Sequence, residues 1–217
     1  MKKIAILMIG HMRSYKYNYE SLQKYILNNN KYDIFIHTWK YKYPQTPSWS
    51  DKYYTKINRE EKIDRAKIIS YYNPKILLLE EQKNIKCEKK HDNISINFQL
   101  YALNRLVYEF NKYIEKHEIK YDIIIKTRPD IKYIDDFLYT YDNSNIIVLC
   151  NKFMGGCDII YFGNHEIMLK ALKIYDNVNK LKKLRSKPES IYIYYFKKIL
   201  LLNIKMIGKS YYKIIRF

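Results

Sequence analysis

The chain has 217 residues, with 40 Lys+Arg against 22 Asp+Glu for a formal net charge of +18, and 25 Tyr but only 5 Gly and 5 Pro. That length suits one domain able to remove roughly 70% of its unfolded surface from water. The plentiful Leu, Ile, Val and Phe exclude wholesale disorder, and the scarcity of Gly and Pro excludes collagenous, linker-like or low-complexity chains.

Lys3 to Ile9 reads as a buried parallel strand and ends in Gly10-His11-Met12-Arg13-Ser14. Gly10 lets the backbone turn tightly, and Ser14 is placed to cap the next helix. That helix is expected over Tyr17–Asn28, with Tyr19, Leu22, Tyr25 and Ile26 on one side. A second strand, Tyr32 to Trp39, ends in His37-Thr38-Trp39. Strand, helix and strand within 40 residues imply a parallel sheet.

Residues 40–65 read as a long loop rich in Tyr and charge, with Trp49 inside it and a helix at its end. A third strand is expected at Lys75–Glu80, followed by a polar stretch without clear structure to Ser95. Ile96 to Ile119 is the clearest helix. Ile96, Leu100, Leu103, Val107, Phe110 and Ile114 recur at spacings of four and three, which makes one apolar stripe and leaves Gln99 off it. The fourth strand, Tyr121–Lys126, runs into Thr127-Arg128-Pro129-Asp130, where Pro129 cannot continue a ladder.

Further strands are expected at Asn145–Leu149 and Asp158–Phe162, separated by a segment containing Gly155-Gly156, and a helix at His165–Val178. Ser186-Lys-Pro-Glu189 has capping-box spacing and opens a helix through Leu201. Two short strands, Asn203–Ile207 and Tyr211–Ile215, close the chain around Gly208.

The charge is uneven. From Ile167 to Phe217 there are 13 Lys/Arg and 2 Asp/Glu, a bias that favours an anionic partner such as nucleic acid, a phosphorylated small molecule or an anionic membrane surface. Cys87, Cys150 and Cys157 have no metal or redox spacing and are expected to be reduced, as in a cytoplasmic protein. The apolar run Ile4–Ile9 is too short for a signal peptide, and no stretch is long enough to span a bilayer. The expectation is a soluble protein with at most peripheral membrane contact.

The chain holds no P-loop, no Gly-x-Gly-x-x-Gly, no His-Glu-x-x-His and no serine nucleophile elbow. What it does hold is three buried strands with polar C-terminal ends: Gly10–Arg13, His37–Trp39 and Thr127–Asp130. On a parallel sheet these converge at one edge, where a nucleotide would sit.

Ile-Gly-His-Met-Arg (9–13), Asp-Ile-Phe-Ile-His-Thr-Trp (33–39), Gln99 and Tyr-Asp-Ile-Ile-Ile-Lys-Thr-Arg-Pro-Asp (121–130) together resemble GT-A-type glycosyltransferases of bacteria and large DNA viruses that act on surface polysaccharides or glycans. Asp158-Ile-Ile-Tyr-Phe-Gly163, Pro188-Glu189 and the terminal Ile-Ile-Arg (214–216) fit the same pattern, so the resemblance spans nearly the whole chain.

It implies a single domain over 1–217 with a GT-A, Rossmann-like, mainly parallel mixed sheet flanked by helices. Residues 1–130 would form the nucleotide-binding part and 131–217 the acceptor side. The implied activity is a cytoplasmic hexosyl- or pentosyltransferase that moves a sugar from a nucleotide-sugar, a UDP-sugar by preference, to a glycan or lipid-linked acceptor.

Enzymes of this type usually hold Mn²⁺ or Mg²⁺ on an Asp-x-Asp motif, whereas the matching place here is Arg128-Pro129-Asp130. Asp130 is then the metal candidate, because a hard divalent cation takes carboxylate oxygen. Arg128 is a phosphate or ribose contact. Gly10, Arg13, His37, Thr38 and Gln99 complete the nucleotide-binding set, with Trp39 as a stacking candidate. Asp158 and Glu189 compete for the base that takes the acceptor proton. Glu189 has the capping box as its other reading, and Asp158 a strand-start carboxylate bound to backbone N–H groups. His165 is a candidate third metal ligand or simply a helix start.

Two other classes stay open: another nucleotide-dependent transferase, and a basic module for nucleic acid or anionic surfaces without catalysis. The charge accounts for the second, but no recognised nucleic-acid motif accompanies it.

Overall fold

The computed structural model describes residues 1–27, 30–44, 60–88, 91, 94–150, 158–182, 184, 188–207 and 211–215. Trp49, the Gly155-Gly156 pair, Cys157, Ser186 and Gly208, each part of a sequence expectation, lie outside the described residues.

Seven strands form one mixed, mostly parallel sheet. They are β1 (Lys3–Ile9), β2 (Lys31–Trp39), β3 (Ile76–Glu80), β4 (Ile123–Thr127), β6 (Ile146–Leu149), β7 (Ile160–Gly163) and β8 (Ile204–Ile207). Two more, β5 (Ile131–Tyr133) and β9 (Tyr212–Ile214), pair antiparallel in a small second sheet. The order across the large sheet is β3-β2-β1-β4-β7-β6-β8. β1, β2, β3 and β4 run parallel, β7 is antiparallel to both β4 and β6, and β6 and β8 are parallel. The sheet draws on both parts of the chain, before and after residue 130.

The described helices are α1 (Tyr15–Leu22), α2 (Arg65–Tyr72), α3 (Ile94–Lys116), α4 (His165–Ala171), α5 (Val178–Leu181) and α6 (Pro188–Tyr194). They cover both faces of the sheet. One core gathers Leu7, Phe35, Leu100, Leu103, Phe110 and Tyr192 on the side of α3 and α6; the other gathers Ile6, Met8, Leu22, Ile34, Ile68 and Ile125 on the side of α1 and α2. Residues 4–9 are buried throughout, as an interior parallel strand requires.

The α3 stripe is as the spacing predicts, since all six of its apolar residues are buried. At ~1.5–3 kcal/mol per buried side chain, these six alone contribute roughly 10–20 kcal/mol before the entropy of ordering is counted. No helix among the described residues is long and apolar enough to cross a membrane.

Four local expectations change. The first helix begins at Tyr15 and continues beyond Leu22 as a wider π-helical turn, Gln23–Leu27. Its buried face carries Asn18 and Ser21 beside Leu22 and Ile26, while Tyr19 and Tyr25 are only half-buried. The helix lies over β5 and the turn before it, whose backbone needs hydrogen-bond partners. Ser14 sits at the N-cap, yet its hydroxyl donates to the Ile215 carbonyl at 2.7 Å instead of capping. The helix expected over 165–178 breaks after Ala171 into a 3-10 stretch, Leu172–Asn177, kinked at Lys173. β5 is unanticipated, being three residues long and hidden behind a polar cluster.

Candidate functional site

In the order β3-β2-β1-β4, the chain leaves β1 toward β2 and β3, then returns to place β4 on the other side of β1. The C-terminal ends of β1 and β4 therefore flank the topological switch point, where ligands bind in open α/β sheets. Gly10–Arg13 leaves one side of that point and Arg128–Asp130 the other. Because β7 runs antiparallel to β4, with Lys126 opposite Tyr161, its N-terminal flank brings Asp158 to the same edge.

Gly10 makes the turn. Its φ of +126° lies where L side chains are rarely found, and its N–H donates to the His37 carbonyl at 3.3 Å. A Cβ there would meet Pro129 Cδ at 3.6 Å, an ordinary contact, so the demand for glycine is conformational. The turn carries Arg13 inward to Asp130, with Nη1 3.7 Å from Oδ2. Arg128 grips the same carboxylate with two bonds, Nε to Oδ1 at 2.8 Å and Nη2 to Oδ2 at 2.6 Å. Burial opposes the Arg128 charge, but Asp130 outweighs it and holds the guanidinium more firmly protonated than usual.

The loop that carries this pair is held rigidly. Asn18, fully buried on α1, donates from Nδ2 to the carbonyls of Arg128 at 3.3 Å and Ile131 at 2.9 Å. Its own Oδ1 accepts from the Tyr72 hydroxyl at 2.8 Å. Ser21 Oγ accepts from the Tyr133 N–H, and the Asp130 carbonyl accepts from the Ile215 N–H at 2.8 Å. Asn18, Ser21 and Tyr72 are supporting residues that the sequence reading did not single out. Polar residues on the inward side of a predicted helix were the one available signal.

Beside the arginines stands a second polar group. Lys126, the last inward residue of β4 on the α3 side, is fully buried. Its ammonium donates to the carbonyls of Asp158 and Ile159 and lies 5.5 Å and 5.7 Å from the ring centres of Tyr161 and Tyr192. Burial pushes its pKa down to about 7, with Arg128 pushing the same way and Asp158 and Asp130 partly opposing. Gln99 donates to the Asp158 carboxylate at 3.2 Å, as its place off the α3 stripe allows.

The Tyr161 and Tyr192 hydroxyls and Glu189 Oε2 are buried without a hydrogen-bond partner among the described residues. Glu189 and Tyr192 are three apart on α6 and so share a face. The sequence treated Lys126 only as a strand residue. A lysine in a run of isoleucines was the sign that this strand end is polar on one side.

Three other candidates, His37, Thr38 and Trp39, are buried at the end of β2. His37 is fully buried, its Nε2–H donating to Glu80 at 3.2 Å, and that bond holds the Glu80 carboxyl down at about 2. Thr38 is fully buried on the opposite face and its hydroxyl has no partner among the described residues. Trp39 packs edge-on to His37 and stacks on Tyr101, and at 3% exposure it offers no face to a base. His11, between these rings and the arginines, donates from Nδ1 to the Tyr41 carbonyl. Burial, with Arg13 adding to it, pushes its pKa down to about 3. His165 sits at the start of α4, near the N-terminal end of β4, where its Nδ1 accepts from the Tyr121 N–H. The strand-end carboxylates lie at the other end of the sheet, so the structure does not bring His165 to Asp130.

A surface hollow of about 440 Å³ next to His165, Asn111 and Lys120 lies at that same N-terminal end. Size does not select it as the site. Ligands of such sheets bind where the strands end, and there the charged side chains converge.

The fit of a divalent metal turns on Asp130. Both of its oxygens are engaged by one guanidinium and a second stands beside it, while the Asp130 side chain is 2% exposed against 22% for Arg128. A metal ion bound there would have to displace Arg128 and sit among like charges. As arranged, the residues do not fit a metal ligand set. They present guanidinium outward and carboxylate inward. No family model and no curated protein matches this chain.

Proposed function

We propose that this chain is a nucleotide-sugar-dependent glycosyltransferase of GT-A type, transferring a sugar to a glycan or lipid-linked acceptor. The observation that carries the reading is the meeting of Arg13, Arg128 and Asp130 at the switch point of a mixed, mainly parallel sheet, with Gln99 and Asp158 on the adjoining flank. Transfer from a UDP-, GDP- or dTDP-sugar releases a nucleoside diphosphate, so the reaction needs fixed positive charge where negative charge develops. In an inverting transfer the acceptor hydroxyl also loses its proton to a carboxylate. Asp158 is oriented by Gln99, and Glu189 keeps one buried oxygen without a partner among the described residues, so both remain base candidates. The basic stretch after Ile167 suits an anionic acceptor or the membrane surface that carries it.

The test is a thermal-shift panel of UDP-, GDP-, CMP- and dTDP-sugars, followed by assay of donor hydrolysis and transfer. One nucleotide class is expected to stabilise the protein and to be consumed. Stabilisation by none of them, together with a salt-sensitive shift on arbitrary oligonucleotides, would replace the reading with a basic binding module.

A further inference from the structure

We propose that the Arg13–Asp130–Arg128 cluster binds the donor diphosphate directly, without a divalent metal, and that Asp130 is a positioning residue which aligns the guanidinium fork. The proposal rests on the glycosyltransferase reading of this edge and says how its diphosphate is held.

Three observations carry it. Asp130 is occupied: Arg128 bonds both of its oxygens at 2.8 and 2.6 Å, and Arg13 closes on Oδ2 at 3.7 Å. The cluster is also asymmetric toward solvent, with the carboxylate 2% exposed and the Arg128 side chain 22%. An anion arriving at the sheet edge meets guanidinium first, whereas a cation would have to pass it to reach the carboxylate. Finally, Arg128 uses Nε and Nη2 on Asp130, which leaves the Nη1 side of a planar fork for a phosphate oxygen.

Two guanidiniums and one carboxylate sum to a single positive charge fixed at the switch point. Asn18 and the Ile215 N–H hold the backbone on both sides of Asp130, so the fork is aimed before any ligand arrives. In this arrangement Arg128 does what a metal ion does elsewhere: it neutralises a leaving diphosphate through oxygen contacts, with no ligand shell of carboxylates.

The experiment is calorimetric titration of the intact protein with inorganic pyrophosphate, UDP and GDP, each in excess EDTA and again in Mn²⁺. At least one of these probes is expected to bind in EDTA with an affinity within about threefold of that in Mn²⁺, since guanidinium–phosphate bonds need no metal. Arg128→Lys, which keeps the charge and loses the fork, is expected to weaken that binding about tenfold or more in EDTA. Asp130→Asn should weaken it in both buffers alike, because it frees the fork to wander.

Binding that appears only with Mn²⁺ overturns the proposal and leaves the glycosyltransferase reading standing, with Asp130 as a metal ligand. Loss on Asp130→Asn of a Mn²⁺-dependent increment alone does the same. Binding of no probe in either buffer removes the diphosphate site and the reading built on it. The wild-type comparison in EDTA and Mn²⁺ needs no variant, so a substitution that fails to fold does not protect the proposal.

Discussion

Replacing Lys126 by methionine should make the protein more stable at neutral and acid pH, and by an amount that depends on pH. The Lys126 ammonium is fully buried on the α3 face, with Asp158 and Ile159 carbonyls at its head and the rings of Tyr161 and Tyr192 around it. The charged groups that act on it are Asp158 from the flank of β7 and Arg128 and Asp130 from the end of β4. Together with burial they bring its pKa from 10.5 to about 7. At ~1.4 kcal/mol per pH unit, that is roughly 5 kcal/mol of stability lost where the lysine is charged in both the folded and the unfolded chain.

The sign follows from proton counting. Between pH 7 and 10.5 the unfolded chain holds a proton that the folded chain has released, so stability rises with pH across that window. The full penalty applies below pH 7 and disappears above 10.5. Methionine keeps the length and removes the charge, but gives up bonds to two carbonyls, a loss of about 1–3 kcal/mol. The variant should gain about 2–4 kcal/mol near pH 6, and the difference from wild type should shrink by roughly 3 kcal/mol by about pH 9. Urea unfolding of both proteins across this range is the assay, and taking their difference cancels every other titrating group. A difference that stays constant with pH would falsify the account of a destabilised ammonium.

Three further outcomes follow from the same geometry. Asn18→Leu strands the carbonyls of Arg128 and Ile131 in the interior. It should cost about 2–5 kcal/mol in chemical denaturation and also weaken diphosphate binding, whereas a purely local packing defect would change only the first. Glu80 is held near pKa 2 by the His37 bond, with Tyr101 and Arg105 helping against partial burial. Its contribution is therefore present above its ordinary value of 4.5 and lost as pH falls toward 2, so Glu80→Gln should flatten the acid side of a melting-temperature profile. Asp158→Asn keeps an oxygen to accept from Gln99 and removes a charge that offsets part of the buried Lys126 ammonium; it should lower the melt and retain pyrophosphate binding while product formation falls at least about 100-fold, which is the loss expected of a general base.

The sequence made the sheet legible because interior parallel strands are short, continuous and β-branched, and because α3 shows one uninterrupted stripe. β1, β2, β3 and β4 all fall where the apolar runs place them, within a few residues. β5 was illegible for the opposite reason: Ile131-Lys132-Tyr133 owes its strand to pairing with β9, some 80 residues later, and nothing local announces it. At the site, charge at strand ends pointed to Arg13, Arg128 and Asp130, but residue type could not reveal who holds whom. That Asp130 faces two guanidiniums, that His37 is spent on Glu80, and that Asn18 turns inward to brace the loop are facts of three-dimensional pairing. Lys126 passed as a strand residue because a lysine stem fits an apolar run; only its buried head shows otherwise.

The two polar groups at this edge belong to one electrostatic design. Arg13, Arg128 and Lys126 face Asp130 and Asp158 across the end of β4, all largely withdrawn from water. Taking such charges out of solvent is costly, and apolar residues of similar volume would often fill the same space with no loss of stability. A fold serving only its own stability has no reason to place a lysine in β4 at the expense Lys126 implies, nor to aim a second arginine at a carboxylate already bonded twice. The buried charges gather at the end of β4, beside cores built mainly of isoleucine, leucine, phenylalanine and tyrosine. Stability given up locally, on a cluster whose most exposed member is the Arg128 guanidinium, is what the proposed anion site would require.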